Sequence, residues 1–278
     1  MEEKQYYILG AAAIVIVLMA VTITSYFPSK KETAIESVKA PEKVTEEVKK
    51  EEPVVIERKE LSTVSEKEDN EKYSINLIKP QGLPSAIQST IDTIFVTKKE
   101  DFLGRVKGLV ALKDGEKYVL ETLQPQAYES EKYSSVVIEF KESLGNGKPD
   151  SAFSTISYDK SSGKAVYLPD IFESENKNNE IYDYLSSYFQ SMVMNSILDQ
   201  ARKAGGELSE SDKESLRNSV KKGISANSEN FLNWYVDNDS VVFIFPPNQV
   251  APYSYGKQEA RVYINAMISS LNNSKNGQ

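Results

Sequence analysis

Nineteen consecutive residues without a charge, Ile8 to Tyr26 (ILGAAAIVIVLMAVTITSY), constrain this chain more than any other feature. At about 1.5 Å per residue such a run covers the roughly 30 Å of a bilayer's hydrocarbon core. It is predicted to be a transmembrane helix that contacts membrane lipid. A cleaved leader is the competing reading, but the preceding Met-Glu-Glu-Lys is not net positive and no small-x-small site follows the apolar run. The expected layout is therefore a short cytoplasmic tail (1–7), a single-pass anchor (8–26) and whatever folds after it.

From Pro28 to Lys72 the chain turns to Lys, Glu, Val and Pro with no aromatic residue. A stretch of that kind buries too little apolar surface to offset its ordering entropy. Residues 27–72 are accordingly read as a disordered, charged stalk. That leaves 73–273 to form the domain, a first half at 73–202 and a second at 203–273, with a tail at 274–278. A domain of this length builds its core without staples, and the chain contains no cysteine.

The expected fold class is α+β, with antiparallel hairpins packed against helices. Tyr73–Ile78 alternates as an opening strand, and Ser85–Val106 carries Ile87, Ile91, Phe95, Phe102 and Val106 at helical spacing. Lys117–Ala127, Tyr133–Lys141 and Ala152–Tyr158 have strand character and are expected to pair as a meander. The Ser/Gly-rich Asp159–Lys164 is predicted to turn the chain back into a strand at Ala165–Leu168. Glu180–Ala201 shows a wide apolar stripe from Ile181 to Leu198, so a helix with one covered face is predicted. Lys203–Ser228, rich in charge, reads as a solvated loop with a short helix and little energetic weight. Phe231–Val236 and Ser240–Phe245 flank Asp237-Asn238-Asp239 as a second hairpin, followed by a strand at Arg261–Ile264 and a last amphipathic segment.

Composition excludes several functions. The net charge is −8 and no segment concentrates Lys or Arg, so a phosphate backbone finds no counter-surface and a nucleic-acid partner is set aside. Histidine is absent, which removes the commonest metal ligand and the side chain that titrates near neutrality. Neither enzymatic activity nor a cofactor is expected. Ser157-x-x-Lys160 has the spacing of the serine and lysine of penicillin-interacting enzymes, but Ser157 falls in a strand and the spacing recurs at Ser161, Ser174, Ser219 and Ser254. Asp237-Asn238-Asp239 offers oxygen ligands without the glycine and remaining ligands of a calcium loop, and reads as a turn. Glu100-Asp101 and Glu139/Glu142 read as solvated faces.

Three segments resemble a known family, the paired extracellular domains of unknown function of the lysozyme-sensing anti-sigma-V factor, which also precede some polysaccharide deacetylases. They are Lys79-Pro80 with the helix after it; Ser162 to Phe172 (SGKAVYLPDIF); and Phe243 to Gly256 (FIFPPNQVAPYSYG). Where the family usually has a Gly-Gly-Ala-His loop, this chain has Gly145 to Asp150 (GNGKPD), without histidine. Charge flanking the anchor leaves orientation open, since Lys30, Lys31, Lys39 and Lys43 lie on the domain side but long domains translocate largely regardless of charge. The resemblance implies an extracytoplasmic domain, located at the cell membrane, that binds a lysozyme-like protein or peptidoglycan. Aromatic rings with one polar end suit such ligands. Of the sixteen tyrosines, Tyr253 and Tyr255, with Gly256 beside them and Asn146 and Lys148 of the Gly145–Asp150 loop, make up the five expected ligand-binding residues. A structural or assembly subunit of a cell-envelope complex is the alternative function.

Overall fold

The structure, a computed structural model, describes residues 60–113, 115–145, 147–173 and 178–276. The predicted anchor and most of the predicted stalk lie outside them. No helix among the described residues is long and apolar enough to cross a membrane.

The first core forms under one helix. Strand β2 (Tyr73–Gln81) buries Ile75 and Leu77, β3 (Tyr118–Thr122) buries Tyr118 and Leu120, and β5 (Tyr133–Ser143) buries Val136, Ile138 and Phe140 on the same face. Helix α1 (Ser85–Lys107) closes this face with Ile87, Ile91, Phe95, Phe102 and Val106. Those positions recur every four or seven residues and so form one stripe. Strand β4 (Gln126–Glu129) pairs with the first part of β5 and β3 with its last part, both antiparallel, while β6 (Asp150–Asp159) pairs along its other edge without a break. The expected meander holds for β4, β5 and β6. The single strand expected over Lys117–Ala127 is two, because Pro125 cannot donate to a ladder. Strand β3 runs parallel to β2, which the long crossover through α1 permits.

Part of the predicted stalk is a strand. Ser62–Asp69 forms β1, an antiparallel edge strand on β2. It presents no apolar face; the backbone ladder holds it, with Lys99 reaching Glu66 (2.6 Å) and Glu68 (2.8 Å) and Lys117 reaching Asp69 (2.8 Å).

A second, three-stranded sheet comprises β7 (Trp234–Asp237), β8 (Ser240–Phe245) and β9 (Gln258–Tyr263), all antiparallel. Every residue of β8 is buried, and its side chains divide by parity. Val241, Phe243 and Phe245 enter the core beneath helix α3 (Asn178–Lys203), which supplies Ile181, Leu185, Phe189, Val193 and Ile197 at four-residue steps. Val242 and Ile244 face the other way, with Tyr235, onto Tyr128, Val137 and Phe153 of the first sheet. The two sheets thus pack face to face between α1 on one side and α3 on the other. A continuous apolar strand is what a middle layer requires.

Three expectations are corrected here. Ala165–Leu168 makes only an isolated bridge from Ala165 to Tyr158 before the one-turn helix α2 (Leu168–Ile171), because Pro169 and the bond from the Tyr167 N–H to Asp170 Oδ2 (2.8 Å) start a helix instead. Lys203–Ser228 contains α4 (Glu210–Gly223), whose Leu216 and Val220, with Ile224 just beyond, are buried in the second core. Finally, α3 belongs to the second core and not to a first half ending at 202. Apart from Tyr133 of β5, the second core runs from Leu168 to Leu271, in helix α5 (Ile264–Asn276).

Candidate functional site

The free edge of β7 determines what the buried hydroxyls do. Its N–H groups that point away from β8 need partners, since this edge lies against the first sheet and not in water. The Val236 N–H donates to Ser135 Oγ (2.9 Å) and the Trp234 N–H to Thr155 Oγ1 (3.0 Å), while the Asn238 N–H reaches the Glu129 carbonyl (3.0 Å). Ser135 Oγ lies 2.7 Å from Ser157 Oγ, and both serines are buried. Ser157 is therefore part of the seam between sheets. Lys160 turns elsewhere, to the Ser130 carbonyl (3.0 Å) and Glu129 (3.6 Å). The serine–lysine spacing builds no nucleophile.

Asp237, Asn238 and Asp239 form the β7–β8 turn, with Asn238 at φ 54°. The buried Asp237 carboxylate is held by Arg261 at 2.7 Å, so it is already neutralised by a protein cation. Glu142 pairs with Arg105 (2.5 Å) and Glu139 accepts from Ser151 (3.3 Å). Among the described residues no cluster of three acidic groups has metal-binding spacing.

Of the expected ligand residues, the fold brings two together from far apart in sequence. The Tyr253 hydroxyl donates to the Pro149 carbonyl (2.7 Å), and Lys148 Nζ lies 5.5 Å from the centre of the Tyr253 ring. Tyr253 is half-buried and Lys148 exposed. Beside them Lys257 Nζ sits 5.5 Å from the Phe153 ring centre and 2.8 Å from Glu259. The result is an aromatic and cationic patch where the β5–β6 loop meets the turn before β9. Tyr255 instead packs on the second core, and its carbonyl accepts from Gln258 Nε2 (2.8 Å). Gly256, at φ 65° and ψ −162°, occupies a region essentially closed to residues with a Cβ; it redirects the chain into β9. Asn146 lies outside the described residues.

A second feature has no counterpart among the expected sites. A groove of about 350 Å³ opens beside the end of β6, walled by Thr155, Tyr167, Leu232 and Trp234 with Thr90 of α1 at its rim. Tyr167 and Leu232 are 69% and 65% exposed, an unusual cost for large apolar side chains so close together. These residues come from separate elements, so no local pattern announces the groove.

Residues 169–265 match a family described as a protein of unknown function, DUF3298. This stretch, Pro169 to Asn265, starts and ends close to the second core. Two solved structures are similar to this chain. One is a DUF3298 member from Bacteroides fragilis NCTC 9343, 14% identical, with 75% of this chain and 91% of that chain covered and a TM-score of 0.43. The other is a DUF3298 protein from Pseudomonas aeruginosa PAO1, 10% identical, with 76% and 94% covered and a TM-score of 0.47. No curated protein matches the chain.

Proposed function

We propose that this chain is a non-catalytic binding or sensing module, held at the outer face of a cell membrane by Ile8–Tyr26, whose ligand is a lysozyme-like protein or a cell-wall glycan. The observation that carries the reading is the union of Lys148 and Tyr253. A half-exposed ring fixed through its hydroxyl loses little freedom when a ligand covers it, and a cation beside it adds polar recognition. The likeness of Phe243–Gly256 to the lysozyme-sensing anti-sigma-V family supports the same surface and the same placement. The uncharged run at 8–26 supports the anchoring.

The full chain in detergent, captured on immobilised lysozyme and on insoluble peptidoglycan, tests the ligand classes. Retention on one of them, weakened by Tyr253→Ala and Lys148→Ala, is the expected result; retention on neither removes both classes. External protease added to intact cells tests the placement, and a domain that stays whole until the membrane is opened would refute it.

A further inference from the structure

The first sheet ends in two edges of opposite character. At β1 the edge carries Glu66, Lys67, Glu68 and Asp69, charges of the kind that discourage another strand from pairing there. At β6, Ser151 to Tyr158 (SAFSTISY) contains no charge and no proline. Only its last part is covered. The Val166 N–H donates to the Ser157 carbonyl and the Asp159 N–H to the Lys164 carbonyl, both at 2.9 Å.

These two bonds fix which groups of β6 face outward. Ser157 and Asp159 point away from β5, and the β5–β6 register runs from Glu142↔Asp150 to Tyr133↔Asp159 without a bulge. With a two-residue repeat, the backbone groups of Ser151, Phe153 and Thr155 point outward too. Among the described residues they meet no backbone partner. The uncovered edge spans about 13 Å from Ser151 to Thr155. One end reaches the groove with its exposed Tyr167 and Leu232. The other begins beside Lys148, which has no carboxylate partner among the described residues.

We propose that this edge and groove form a binding site for an extended peptide segment of another protein, which adds to β6 as an antiparallel strand, seats an apolar side chain between Tyr167, Leu232 and Trp234, and places an acidic residue near Lys148. A row of unpaired strand amides and carbonyls at a two-residue repeat matches the spacing of an extended polypeptide backbone. The antiparallel direction continues that of Lys164–Val166, which already lies on this edge. The positive charge at the Ser151 end then selects an acid toward the peptide's C-terminal side. The proposal rests on the reading of the domain as a binding module, but not on its side of the membrane or on the Tyr253 surface.

The test uses the full chain and a fluorescent eight-residue probe, acetyl-Ser-Phe-Thr-Val-Thr-Val-Thr-Asp-amide. Binding is expected by anisotropy, with slowed amide exchange at Ser151, Phe153 and Thr155 and no change at Ala152 and Ser154, which already pair with β5. N-methylation of one alternating set of probe amides should weaken binding at least about tenfold and of the other set little. Ser151→Pro, which deletes an outward donor while sparing the β5 ladder, should weaken it similarly, as should replacing the terminal Asp by Lys. The two N-methylated probes keep the test decisive should Ser151→Pro unfold the protein. No binding overturns the proposal, as does binding indifferent to both N-methylated sets, or protection located elsewhere. Loss of probe binding in Ser151→Pro with lysozyme or peptidoglycan capture intact would separate this site from the Tyr253 surface.

Discussion

Ser135 shows how a single buried hydroxyl joins two sheets. Its oxygen accepts from the Val236 N–H and lies against Ser157, so alanine at this position would leave a strand amide buried without a partner. Ser135→Ala is expected to lower stability by about 1–3 kcal/mol, against a smaller loss for Ser157→Ala, because only the first removes the acceptor of a backbone donor. Urea titration of both variants checks the order. At the surface, Asp159 caps its own turn: Ser161 Oγ and then the Ser162 N–H hold its carboxylate, with the Ser161 N–H alongside, and together they pull its pKa down to about 2. A depressed folded-state pKa means that the turn is favoured at any pH above the ordinary carboxylate value near 4 and loses that support as the pH falls toward about 2. Carboxyl-carbon NMR should show Asp159 titrating below the ordinary aspartate value near 4, and Ser161→Ala should move it upward.

Among the elements, those with a strong period and a face to bury were plain in the sequence. Helix α1 and β8 owe their positions to apolar spacing alone. Strand β1 escaped altogether, and helix α4 was expected only as a short, solvated helix of little weight, for different physical reasons. Strand β1 has no apolar face, being held by ladder bonds and ion pairs to Lys99 and Lys117 that come from distant residues. Helix α4 does carry the signal, Leu216, Val220 and Ile224 at four-residue steps, but charged neighbours mask it, and this one was legible in principle. The helix also docks through its last residue. A Cβ on Gly223 would lie 2.1 Å from the Gln249 carbonyl oxygen, while Gln249 Nε2 donates to the Gly223 carbonyl at 2.9 Å. Gly223→Ala must push backbone from backbone and is expected to cost about 1–3 kcal/mol. In Gly104→Ala the new methyl meets nothing within 4 Å, in an exposed part of α1. That variant should gain about 0.5–1 kcal/mol from reduced chain entropy. Thermal melts of the two should therefore shift in opposite directions.

For the whole molecule, what matters is that neither core is closed on its own. The pairing of Lys148 with Tyr253 was anticipated only as two separate stretches, and the groove beside β6 not at all, because each is assembled by packing one sheet on the other and not by any local repeat. The same packing bears on the DUF3298-like stretch. Pro169–Asn265 holds most of the second core but ends in a sheet face whose Tyr235, Val242 and Ile244 are covered by Tyr128, Val137 and Phe153 of the first sheet. The Tyr128 and Tyr235 rings stack with centres 3.9 Å apart, and burial, with Glu259 and Tyr128 nearby, pushes the Tyr235 hydroxyl well above the usual tyrosine range. Cut free, that stretch would expose this apolar face and lose the acceptors that Ser135 and Thr155 offer to β7. Exposing that face forgoes about 1.5–3 kcal/mol for each large side chain on it, a large share of the roughly 5–15 kcal/mol by which domains are stable. A fragment of residues 169–265 is therefore expected to remain unfolded or to aggregate, whereas 60–278 unfolds in one transition that core amides of both sheets report together. Hydrogen exchange on the longer fragment checks this: a second sheet that opens fully while Val136 and Ile138 stay protected would mean that the two cores are independent, and the seam between them unimportant for stability.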